Sequence, residues 1–261
     1  MKKKLQILPV LSEGFSLGLK NCLSVLGAII LWILTIWVPY INVGTTIAIY
    51  SIPVALSQGK TISPLFIFES KYRKMMGEVI LLFALELLAI VLLIFCGVIP
   101  AFVVSIAWGL GIYLVIDKGL SPTEALTRSN TLTYGNKWRI FAISLILGII
   151  PIVLSISQVI YEEQSKPNYE EIFEASFNDP IADPNDPLAV FHAYETAMDE
   201  YETATEEAVT TAWWYILLML VVNIIISVWA LGCDAVIYRE LTAEENAPEI
   251  ANSSDKITEI D

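Results

Sequence analysis

Residues 114–141 read LVIDKGLSPTEALTRSNTLTYGNKWRIF, and the reading of this stretch decides the fold. Ser121, Pro122 and Glu124 make an S-P-T-E start, with serine at the N-cap, proline at the first helical position and a capping-box glutamate. Gly135 supplies a stop, so the spacing predicts a helix over 122–134. Lys118, Arg128, Lys137 and Arg139 surround that helix, and Trp138 opens the next apolar run. A short, capped, basic helix between two long apolar runs reads as a cytoplasmic loop lying on a membrane surface.

Composition agrees with that reading. Of 261 residues, 56% are hydrophobic and 16% charged, which excludes a soluble domain. Apolar blocks of about the length a bilayer crossing needs predict spans at 22–39, 41–57, 76–97, 101–116, 138–160 and 212–235, the second and fourth being short. The expected fold is an all-α polytopic membrane protein: about six transmembrane helices, interfacial amphipathic helices and an extracytoplasmic helical insert. The division expected is a membrane domain at 1–160, an acidic insert at 161–211, the sixth transmembrane helix at 212–240 and a disordered cytoplasmic tail at 241–261. MKKKLQILPV has a basic tip but no apolar run of signal-peptide length, so the N-terminus reads as uncleaved. Cys22, Cys96 and Cys233 all lie in apolar runs and form no CxxC pair; they read as small buried hydrophobes.

Charge gives the topology. Fourteen of the fifteen Lys and Arg fall before span one, between spans two and three, between four and five, and after six; the opposite side holds only Lys166. This positive-inside bias predicts that both termini are cytoplasmic. The formal charge of −13 has one source. Residues 161–211 carry fourteen Asp and Glu against Lys166, so the rest of the chain is balanced and the acidity gives no signal for nucleic acid.

Taken in order, 10–20 (VLSEGFSLGLK) reads as an interfacial helix with Ser12 as its cap, leading into a first span that ends in Trp37 and Tyr40. Gly44 and Pro53 predict a second span that is kinked or partly re-entrant. Loop 58–75 echoes the opening stretch: Gly59, Ser63-Pro64, Ser70 and Gly77 match Gly119, Ser121-Pro122, Ser129 and Gly135 as a weak internal repeat. Spans three and four form a hairpin about Gly97-Val98-Ile99-Pro100. In span four, Ser105/Gly109 and Ala107/Gly111 are small-xxx-small pairs that let a neighbouring helix approach closely. Gly148 and Pro151 mark a kink in span five. In the insert, Asn168 and Glu171 suggest a helix start before IFEASF, and DPIADPNDP (179–187) reads as a turn. From Asp186-Pro187 a helix runs into span six. Along it Phe191, Tyr194, Met198, Tyr201, Thr205, Ala208 and Ala212 alternate by three and four as a heptad seam. The seam needs a partner, either Ile172, Phe173 and Phe177 of the same insert or another chain.

The pattern G-L-S-P-x-E-A-L-x-x-S-x-x-L-x-x-G-N-K-W-x-x-F, carried by Glu124, Ala125, Leu126, Ser129, Leu132, Gly135, Asn136, Lys137, Trp138 and Phe141, resembles several uncharacterised families of bacterial polytopic inner-membrane proteins. One of these forms the membrane domain fused to some glycerophosphodiester phosphodiesterases. Gly97-Val98-Ile99-Pro100 resembles the turn these families place after their third span, although here alanine follows the proline. The resemblance covers about 40–155. It implies a bacterial inner (plasma) membrane location and a shared architecture with no established reaction; the acidic insert departs from the pattern.

Few residues carry chemistry. Glu86 lies near the middle of span three, where a carboxylate is a proton- or cation-site candidate; the alternative is a protonated acid bonded to a neighbouring helix, with Asn223 of span six at similar depth. Glu78 and Asp234 read as charges paired with Lys137 and Arg139 near the cytoplasmic boundary. His192 stands alone, and no HExxH, GxSxG, Walker loop or EF-hand spacing occurs. No cofactor or metal is expected, and the chain does not read as an enzyme. The expected function is a non-catalytic scaffold or regulatory subunit that engages a membrane-protein partner, or a second copy, through the acidic insert. The alternative is a small transporter or channel using Glu86. The remaining partner is the lipid bilayer.

Overall fold

The computed structural model describes residues 4–165, 167–177 and 187–258. Regular structure among them is helical throughout, with no strand. Five helical stretches are long and apolar enough to cross a membrane: Pro39–Ser57, Met76–Cys96, Val98–Lys118, Lys137–Tyr161 and Trp213–Ala243. A sixth exists only if Ile7–Lys20 (α1) and Cys22–Leu34 (α2), bent by 68° at Asn21, count as one broken span.

The expected first span, 22–39, is therefore corrected. Helix α2 covers only 13 residues, about 20 Å of rise, and is too short alone. Ser12 does not cap α1 either: the helix begins at Ile7, and the Ser12 hydroxyl donates to the Pro9 carbonyl from inside it. The second span starts at Pro39 (α3, Pro39–Tyr50) and continues after a break at Ser51 as α4 (Ile52–Ser57), with Pro53 in the first turn. Ser51 Oγ fills the break by donating to the Ala48 carbonyl at 2.6 Å, and it lies 2.9 Å from the Tyr72 hydroxyl.

Loop 58–75 folds as a 3-10 turn, Pro64–Phe68, and a short helix, α5 (Ser70–Lys74). The turn packs on α2 and α3, with Ile67 and Tyr72 buried and Phe66 edge-on to Tyr72. The echo with the opening stretch holds at two points. Gly59 and Gly119 both end a helix at positive φ (+68° and +63°), a conformation open to glycine, and each is followed by a Ser-Pro helix start.

Helices α6 (Met76–Cys96) and α7 (Val98–Trp108) form a hairpin about Gly97, whose φ of +131° L side chains rarely adopt. After an interruption at Gly109-Leu110, α8 (Gly111–Lys118) continues toward α9 (Pro122–Thr133). Then come α10 (Lys137–Ser165, with Pro151 inside), α11 (Tyr169–Phe177) and α12 (Pro187–Thr258). Helix α12 takes in 241–258, a stretch whose composition predicts disorder.

The chain divides into two compact units, Met1–Leu147 with Ile225–Asp261, and Gly148–Ile224. The first holds the core: Ile47, Leu82, Leu114, Val115, Ala125, Ile143 and Val236 are all buried. Here α1 meets the last helix backbone to backbone. A Cβ on Gly18 would strike the Val228 carbonyl, and one on Gly232 would strike that of Gly14. The Trp229 indole donates to the Leu11 carbonyl (2.9 Å), and Arg239 pairs with Glu13 at 2.8 Å. Within the second unit, Tyr161 stacks on Tyr215 (4.3 Å), whose hydroxyl lies 2.9 Å from Ser157 Oγ, and Tyr169 meets Tyr201 edge-on at 5.4 Å.

Candidate functional site

Helix α9 sits at the centre of the first unit, packed against α6, α7 and α8. Its buried stripe is Ala125, Leu126, Ser129, Leu132 and Thr133; Thr123, Glu124, Thr127, Arg128, Asn130 and Thr131 face out. Ser129 Oγ donates to the Ala107 carbonyl (2.7 Å) and accepts from the Leu110 amide (3.1 Å). Thr133 Oγ1 also reaches the Ala107 carbonyl, at 3.3 Å. These groups satisfy the backbone that the interruption at 109–110 leaves open. The helix expected at 122–134 is present, but its carrying residues differ. Ser121 has N-cap geometry and makes no side-chain cap bond, so the capping box with Glu124 is not formed. Gly135 (φ +86°) turns the chain two residues past the helix end. The small pairs of span four admit α9: Gly111 lies against Leu126 and Leu82, whereas Gly109 meets only its own helix.

Glu86 is half-buried on α6, with Oε1 3.6 Å from where a Cβ on Gly111 would stand. Among the described residues it makes no hydrogen bond or ion pair. Asn223 lies in the second unit, where its amide donates to the Met219 carbonyl at 2.8 Å. A cleft of about 570 Å³ adjoins this part of α6, with Leu85, Leu88 and Leu92 on one wall and Thr123, Thr127 and Asn130 on the other.

Among the described residues, the charges expected to pair do not. Asp234 accepts from the Tyr113 hydroxyl at 3.0 Å and meets neither Lys137 nor Arg139. Glu78 is exposed in the first turn of α6, where a carboxylate complements the helix dipole. Lys137 donates to Asn130 Oδ1 at 2.8 Å, and Arg139 has a buried Nη1 with no hydrogen-bond partner. Trp138 is exposed.

The sequence reading missed a polar cluster between α8 and α12. Tyr113 donates to Asp234, and Tyr238 donates to Asp117 (2.6 Å), whose other oxygen accepts from Gln58 at 2.7 Å. The two tyrosine rings meet edge-on at 5.8 Å. The signal was legible: YLVID (113–117) and DAVIY (234–238) mirror one another at their Tyr, Val and Asp positions, and a spacing of four puts each Tyr and Asp on one helix face. Two parallel helices can then exchange hydroxyl for carboxylate twice. The arrangement fixes a helix pair. Among the described residues no three His, Cys, Asp or Glu could share a metal ion.

In the insert, Phe191, Tyr194 and Met198 are exposed, Tyr201 is half-buried beside Tyr169, and the buried positions are Ala193 and Ala197. The heptad seam thus faces outward along most of its described length. Phe177 and Ile172 lie on α11.

The chain matches no protein-family model, no curated protein and no solved structure. Several apolar helices make it a membrane protein.

Proposed function

We propose that this protein is a non-catalytic integral membrane scaffold or regulatory subunit that engages a membrane-protein partner through its acidic insert. One observation carries the reading. On α12, Ala197 is 0% exposed while Phe191, Tyr194 and Met198 are 55, 48 and 40% exposed. Large side chains outward and small ones inward reverse the ordinary order of a helix packed on its own chain. An outward aromatic row is the kind of surface that anchors an interface. With fourteen acidic residues against Lys166 around it, the complementary surface is apolar with a basic rim. The lysine and arginine distribution supports an orientation with both termini in the cytoplasm of a bacterial inner membrane and the insert outside. The resemblance to polytopic inner-membrane families is part of the same reading and adds no reaction to it.

The test is co-purification after mild solubilisation. A stoichiometric partner should accompany the wild type and be lost, in a salt-sensitive way, from the Phe191→Ser, Tyr194→Ser, Met198→Ser variant. A wild type that purifies as a lone monomer, with the triple variant identical to it, would overturn the reading.

A second reading, transport through a path at Glu86, is favoured by one observation: this carboxylate has no partner among the described residues and lies against Gly111, beside the interruption of α7 and α8. An unpaired carboxylate in a spanning helix costs about 2.5–3.5 kcal/mol on insertion scales, so an inert glutamate there would be better replaced. Glu86→Leu should then raise thermal stability while abolishing flux in proteoliposomes. Flux equal in wild type and Glu86→Gln removes the transport reading.

A further inference from the structure

We propose that the slot between α7 and the first turn of α10 holds one acyl chain of an anionic phospholipid, whose phosphate rests on Lys137. The slot is about 390 Å³ in volume and almost wholly apolar. Val98, Phe102, Val103 and Ile106 form one wall, Phe141 the other, and Phe102 meets Phe141 edge to face at 5.0 Å. Its length along α7, from Val98 to Ile106, is nine residues, about 12 Å of rise. Much of its lining is open: Val98 is 74% exposed. In a membrane helix such a surface is covered by lipid, and a concave one holds a chain in place more firmly than a flat one does.

The charge around the slot selects the headgroup. Lys137 is the one charged residue lining it. Its described partner is a neutral amide oxygen, that of Asn130, so no carboxylate balances it. Arg139, two residues on, lies on the other side of the helix and outside the lining. Lys137 stands at the positive end of the 29-residue helix α10, whose first turn has no acidic residue. A cation there is repelled by the helix dipole, and an anion placed beside it relieves both. Trp138, largely exposed beside Lys137, suits the level where lipid headgroups begin. A lipid with no net charge would fill the slot but bring its own cation to Lys137, leaving the positive helix end uncompensated.

The experiment is native mass spectrometry of the full chain, released from mild detergent after equilibration with phosphatidylglycerol or with phosphatidylcholine of identical chains. The wild type should retain one phosphatidylglycerol per chain on the order of fivefold more strongly than phosphatidylcholine, the share one lysine supplies at a membrane surface. Lys137→Gln should equalise the two lipids. Val103→Trp, which fills the slot, should lower retention of both. If Val103→Trp does not fold, the Lys137→Gln comparison decides alone. Equal retention of both lipids by the wild type would overturn the proposal. So would a phosphatidylglycerol preference that survives Lys137→Gln, or a dimer, dispersed by Val103→Trp, in which a second copy fills the slot.

Discussion

Tyr113 and Tyr238 do related work in unequal settings. Asp234 takes its described hydrogen bond from Tyr113, whereas Asp117 has both Tyr238 and Gln58. Removing one hydroxyl therefore strands Asp234 more completely than Asp117. Tyr113→Phe should cost about 1.5–3 kcal/mol, the range for a hydrogen bond to a charged group, and Tyr238→Phe about 1. Denaturation of the purified protein in detergent ranks the two; the opposite order would mean that Gln58 holds Asp117 weakly. Glycine gives the other residue-scale prediction. Gly18 lies against the Val228 carbonyl, where any β-carbon must push the helices apart. Gly18→Val should cost about 1–3 kcal/mol as an overpacked contact, while Gly148→Val, which meets open space, should cost less than 1. Melting temperatures of the pair check this.

For whole elements, α9 shows what a sequence discloses and what it withholds. Its existence and ends were legible, because Pro122 and Gly135 punctuate the backbone locally. Its anchoring was not, because Ser129 and Thr133 bond to Ala107 and Leu110, more than eighteen residues away. Local capping was the wrong source of stability. Ser121→Ala with Glu124→Ala should change stability by no more than about 0.5 kcal/mol, the usual range for surface substitutions, since neither makes a cap bond. Ser129→Ala should cost about 1–3 kcal/mol by leaving the Leu110 amide and an Ala107 lone pair unmet. Hydrogen exchange at Leu110 separates the cases: it should quicken in Ser129→Ala and stay unchanged in the double variant. The spans were legible for the same reason as the ends of α9, since run length and hydropathy need no tertiary knowledge. The first was misread at its far end: α2 stops at Leu34, where the Thr35 hydroxyl turns back onto the Trp32 carbonyl and meets Thr45, a contact no local residue announces. Asp234 was assigned a basic partner because charge is visible in a sequence and the direction of a helix face toward Tyr113 is not.

The molecule as a whole can be tested for orientation. With Cys22, Cys96 and Cys233 replaced by alanine, a probe that does not cross membranes should label Thr196→Cys in intact cells and reach Arg128→Cys only after lysis. Both positions are exposed, so accessibility reports the side of the membrane. The reverse pattern would invert the proposed topology. One contact described above also bears on how such a chain is made. Helix α1 emerges from the ribosome well before the surface that receives Gly14 and Gly18, which lies at 228–233. At about 5–20 residues per second, the roughly 210 residues between them take on the order of 10–40 s to synthesise. Throughout that interval α1 carries a glycine face without the surface it comes to lie against. The span at 213–243 is thus the one that lets α1 come to rest. A chain stalled before residue 225 should leave α1 open to protease however well its middle spans are inserted, and release of the full chain should close it.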